Sequence, residues 1–163
     1  MADVAESIEG SARRIGGHTW LEMRLFGILG GWSGTVGEPR SRALLAATSR
    51  HHAWHAELWR DLLPDLPHLP ADDLVAPDDA GAGIVARLEA VDAGEGAATL
   101  AAVREVALPG LAARYAAHLA RTAPLADGPT IRVLHLVLAD VERDRAAVDP
   151  LPTAAGGVAP APG

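Results

Sequence analysis

His52 and His55 stand three apart in the run Ser49-Arg50-His51-His52-Ala53-Trp54-His55-Ala56-Glu57-Leu58-Trp59, which carries three of the chain's seven histidines. If that run is helical, Leu45, Thr48, His52, His55, Trp59 and Leu62 share one core-facing stripe, so two imidazoles occupy positions where apolar side chains are expected. A third polar intrusion is Glu22, which falls in the seven-residue recurrence Ile8, Ile15, Glu22, Leu29. Imidazoles at i and i+3 lie on one helix face, and one or two carboxylates complete an N/O ligand set suited to Fe(II), Mn(II) or Zn(II). Asp140, which interrupts the apolar run 133–141, and Glu105 are the further acids available. The competing reading is a buried polar layer in which Glu22 hydrogen-bonds His52 or His55 and fixes the packing register.

These residues need helices to hold them level. The apolar spacing predicts four long helices over about 3–31, 39–63, 97–121 and 129–146. The first has His18, Leu25 and Trp32 interleaved with the heptad positions, a Gly16-Gly17 pair that allows close packing or a kink, and Gly30, Gly31 and Gly34 to end it. Glu38-Pro39-Arg40-Ser41 reads as the start of the second. Folding this pair about 36–39 sets Glu22 level with His52 and His55. Between them and the third helix, segment 64–96 is a proline-punctuated crossover with one short helix over 84–91, long enough for an up-down-down-up order. In the third helix Pro109-Gly110 should kink the axis, and Leu111, Tyr115 and His118 share a face beyond it. Tyr115 and His118 read as polar core residues, with His118 nearer His135 than the layer of Asp140. His18 reads as a partner of the site or as a half-buried histidine, and His51 and Trp54 as flank or subunit contacts. Residues 1–148 form one domain, and 149–163 are a Pro/Gly/Ala tail expected to be disordered.

Composition narrows the functions available. The class is all-α: 49% of residues are apolar but only 4% aromatic, and Ala, Leu, Arg and Glu dominate over β-formers. A net charge of −7 with scattered arginines argues against binding nucleic acid or an anionic membrane through the overall field. The absence of cysteine excludes disulfides, thiolate zinc sites and a Cys nucleophile. Ser33 and Ser49 sit in no nucleophile elbow, and the glycines over 30–37 lack the Lys-Ser/Thr ending of a phosphate loop. With no signal-like start and no apolar run of membrane-spanning length, the expected location is cytoplasmic.

Four helices, a carboxylate within the first, His-x-x-His within the second and acids in the third and fourth resemble the ferritin-like superfamily over residues 3–145. That resemblance implies a four-helix bundle with a long crossover and a mono- or dinuclear iron site, with manganese or zinc as alternatives. Glu22 matches the family's ligand on the first helix and His55 the histidine of the second-helix motif, while Glu105 or Asp140 supplies a further acid. The chain departs from the pattern at His52, where the family has glutamate, and at 140–143, where Asp140-Val141-Glu142-Arg143 lacks the second histidine. A different reading is a non-enzymatic interaction protein that forms a homodimer through the first hairpin, where Trp20, Trp32, Trp54 and Trp59 all lie.

Overall fold

A computed structural model of the chain describes residues 7–150. The expected helix start near residue 3 and residues 151–163 of the expected tail lie outside the described residues. Within them the fold is all-α, and the only ladder-type contact is an isolated bridge between Leu66 and Leu69.

The two longest helices are α1 (Ile8–Thr35) and α2 (Pro39–Arg60), which form a hairpin. Ser7 caps α1 by accepting from the Gly10 N–H at 3.0 Å. The glycines at 30, 31 and 34 do not end α1, contrary to the sequence expectation; it continues to Thr35. Inside a helix, Gly30 serves packing instead, since a Cβ there would meet Ser49 Oγ at 3.1 Å, and that hydroxyl donates to the Phe26 carbonyl across the hairpin at 2.9 Å. At the start of α2, Glu38 accepts from the N–H groups of Arg40 and Ser41 at 2.8 and 2.6 Å, with Pro39 in the first turn where it has no donor to lose.

The crossover carries α3 (Ala71–Leu74) and α4 (Asp79–Glu89), both packed on α1. The α4 helix starts earlier than the sequence suggested because Asp78 caps it, accepting from Gly81 N–H at 2.8 Å. Beyond α4 the chain returns to the α1–α2 turn: Thr35 Oγ1 donates to the Ala93 carbonyl at 2.8 Å, and a Cβ on Gly96 would lie 2.9 Å from Val36. From there α5 (Gly96–Ala102), a π-helical turn (Val103–Ala107) and α6 (Leu108–Leu119) follow without a break, and α7 (Gly128–Val148) packs on α6 and on α2.

Proline chemistry accounts for the π turn. Pro109 has no N–H for the Glu105 carbonyl and its ring crowds that carbonyl, so the helix widens by one residue and Leu108 N–H bonds Val103 O instead. Where a kink of the axis was expected at Pro109-Gly110, the helix carries a π turn just before the proline. The core is built from Leu21, Leu25, Leu29, Trp59, Leu111, Tyr115, Leu134 and Val137, all fully buried, whereas Ile8, expected on the same stripe, is 70% exposed.

Candidate metal centre

Two helices, α1 and α2, bring Glu22, His52 and His55 together as the hairpin geometry predicts. One ligand atom from each lies within 4.8 Å of the others, and all three side chains are buried. His52 Nδ1–H donates to Glu22 Oε2 at 2.5 Å, while His55 Nδ1 stands 3.4 Å from Glu22 Oε1. The other carboxylate contact comes from α6, where the Tyr115 hydroxyl donates to Glu22 Oε1 and accepts from Trp59 Nε1–H at 3.3 Å.

On the far side of the His55 ring, Nε2–H donates to Asp140 Oδ2 at 3.1 Å, and Arg143 Nη1 holds the other Asp140 oxygen. One turn away His51 Nδ1 lies 2.9 Å from Asp144, so α2 and α7 are joined by two parallel His–carboxylate rungs in antiparallel order. His51 thus has an intramolecular role where a flank or subunit contact was expected. Asp140, expected as a further acid of the site, instead bonds His55 from behind: it orients the ring and leaves Nδ1 facing Glu22. Glu105 does not take part. It lies on the π turn with its side chain 68% exposed beside Arg104, because the inserted residue rotates this part of the helix away from the core.

The electrostatics follow from burial opposed by charge. Burial alone would raise the Glu22 carboxyl, but the charge and hydrogen bond of His52, then those of His55, bring it down to about 2, so Glu22 is an anion. Burial likewise lowers His55, yet its interactions with Glu22 and then Asp140 outweigh this and raise it above its ordinary value. Burial, and next the Glu22 charge, push the Tyr115 phenol well up, which keeps it a hydrogen-bond donor.

One nitrogen on each central ring is left over. His52 Nε2 and His55 Nδ1 are buried without a hydrogen-bond partner among the described residues, as is Thr48 Oγ1. Such orphans cost roughly 1–3 kcal/mol each unless something satisfies them. Lone-pair nitrogens beside an ionised carboxylate are the donor set a divalent transition ion takes, so this Glu/His/His group can hold a metal ion.

A second polar cluster adjoins the first and was not expected from the sequence. His18 is fully buried and its Nε2–H donates to His118 Nδ1 at 2.9 Å, while its Nδ1 accepts from Arg114 Nε at 2.7 Å. Arg114 in turn forms a two-pronged ion pair with Asp78. His118 therefore faces His18, and His135 is exposed. Burial first, then the positive charge of Arg114, hold His18 well below its ordinary value and keep it neutral. The ring packs against Trp59 and edge-on to Tyr115, at centroid distances of 4.6 and 5.1 Å, which joins the two clusters.

No protein-family model matches the chain, and no curated protein or solved structure matches it either.

Proposed function

We propose that this protein is a ferritin-like four-helix bundle that binds one transition-metal ion, Fe(II) foremost, through Glu22, His52 and His55, and uses it in oxidative chemistry. The observation that carries the reading is the pair of orphaned ring nitrogens, His52 Nε2 and His55 Nδ1, beside an ionised buried carboxylate. The bundle is supported by the crossover, which returns to the α1–α2 turn so that α5 and α6 run in the direction of α2, and by the antiparallel rungs between α2 and α7.

A mononuclear site fits these residues better than a dinuclear one. Asp140 is occupied by His55 and Arg143, and Glu105 is at the surface, so the extra carboxylates that bridge a metal pair are missing from the cluster. Two imidazoles and one carboxylate on Fe(II) leave coordination positions for dioxygen and a substrate, the chemistry the ion supplies when bound. The chain's own residues do the positioning. Asp140 fixes the His55 ring, Tyr115 fixes the Glu22 carboxylate and stays protonated, and the surrounding core excludes water.

Cobalt(II) titration of metal-free protein, followed by its visible ligand-field absorption, tests the ligand set. A saturable one-to-one spectrum that disappears in His52→Ala and in His55→Ala is expected; an identical spectrum in both variants would remove the site.

A homodimer is the second reading, favoured by one feature. Trp32 and Trp59 are buried and Trp20 half-buried, but Met23, Phe26 and Trp54 leave an apolar patch on the outer face of the hairpin at 44–49% exposure. Sedimentation at micromolar concentration decides it: a monomer throughout would dismiss the dimer.

A further inference from the structure

Buried hydroxyls in this fold have partners, with one exception among the described residues. Thr19 and Thr99 donate to carbonyls of their own helices, Ile15 at 3.1 Å and Gly96 at 2.8 Å. Ser41 bonds the Glu38 carboxylate, Ser49 the Phe26 carbonyl across the hairpin, and Tyr115 the Glu22 carboxylate. Thr48 does none of this: it is 1% exposed, and its Oγ1 has no hydrogen-bond partner. A threonine within a helix ordinarily bonds the carbonyl one turn back. A buried hydroxyl without a partner costs free energy that valine in its place would not.

The position of Thr48 suggests what the hydroxyl serves. It stands one turn before His52 in α2, and residues four apart lie one above the other on a helix face. His52 Nδ1 is tied to Glu22, while Nε2, like Thr48 Oγ1, has no partner. The two do not bond each other, although the hydroxyl can donate and the nitrogen can accept. A metal ion satisfies the nitrogen and leaves the hydroxyl proton for an acceptor that the ion itself carries. Resting on the metal reading above, we infer that Thr48 stands outside the ligand set and donates a hydrogen bond to the small exogenous ligand held by the ion. The site then selects ligands whose metal-bound atom accepts such a bond, azide and hydroxide among them. The rival is a single water bridging Thr48 and His52, which would satisfy both atoms and give Thr48 no bearing on what the ion holds.

Azide binding to the cobalt protein separates the two. Full-length protein loaded with an equimolar amount of Co(II) is titrated with sodium azide to equilibrium, and the visible ligand-field bands are followed; Co(II) affinity is measured separately by competition with a chelator. Saturable one-to-one azide binding is expected in the unaltered chain. Thr48→Val should keep its helical circular dichroism and its Co(II) affinity within about twofold, while azide binds about tenfold more weakly for want of one hydrogen bond. Thr48→Ser returns the hydroxyl and should restore azide affinity, and Thr48→Ala should repeat the loss if valine is not accommodated.

The inference is overturned if azide does not bind the unaltered cobalt protein, if removing the hydroxyl leaves azide affinity unchanged, if it weakens Co(II) as much as azide, or if serine fails to restore azide. A cobalt spectrum missing from the unaltered chain would instead remove the metal reading, and this inference with it.

Discussion

At the scale of single residues, the site is a chain of donors and acceptors in which each link determines the next. Tyr115 holds one oxygen of Glu22 and His52 holds the other, while Asp140 holds the outer nitrogen of His55. Removing one hydroxyl should therefore be costly. Tyr115→Phe leaves the Trp59 N–H and one Glu22 oxygen unsatisfied in the core, and chemical denaturation should show a loss of about 1–3 kcal/mol; a loss well below that range would mean the phenol is not bonded as described. Asp140→Asn acts differently. It preserves the shape but weakens the hold on the His55 ring, so metal affinity should fall roughly 10- to 100-fold with the far-ultraviolet circular dichroism unchanged. Calorimetric titration with Zn(II) measures this, and an unaltered affinity would assign Asp140 to packing alone.

At the scale of elements, glycines in one helix have opposite roles. A Cβ on Gly16 would lie 2.0 Å from the Leu74 carbonyl oxygen of α3, whereas Gly27, exposed on the same helix, has nothing within 4 Å. Gly16→Ala should destabilise the fold by about 1–3 kcal/mol through overpacking, and Gly27→Ala should stabilise it by about 0.5–1 kcal/mol because alanine loses less backbone freedom. Thermal unfolding of the two variants compares them, and equal shifts would contradict the α1–α3 contact. The same glycines show what was legible beforehand. The hairpin could be read because heptad spacing and the Glu38-Pro39 start fix both helices and their turn, which set Glu22 beside His52 and His55. The third helix could not be read as well. Its π turn inserts a residue, a rotation of about 100°, so the face carrying Glu105 is not the one a regular helix would give, and the reach of Tyr115 to Glu22 depends on that packing. The His18–Arg114–Asp78 cluster joins residues from three elements with no shared periodicity, and no pattern along the chain could signal it.

At the scale of the whole molecule, buried titrating groups couple the fold to pH. His18 has a folded value well below 6.5, so as pH falls below 6.5 the unfolded chain binds a proton the native one refuses, and stability declines. Glu22 and Asp78 add stability that is present above 4.5 and 3.8, respectively, and is lost as pH falls towards about 2 for both. His55 has the opposite sign: its folded value is raised above 6.5, so its contribution is full below 6.5 and is lost as pH rises through that folded value. Metal-free protein should accordingly be most stable near pH 6.5, with the melting temperature falling on both sides; a flat profile down to pH 3 would show that these groups are not buried as described. The central claim is that the Glu22/His52/His55 cluster holds a metal ion, and elemental analysis of untagged protein after Fe(II) titration under nitrogen addresses it directly. One iron per chain is expected, with none retained by His55→Ala; substoichiometric iron in the unaltered protein, or equal iron in the variant, would contradict it and leave a helical protein with a buried hydrogen-bonded layer.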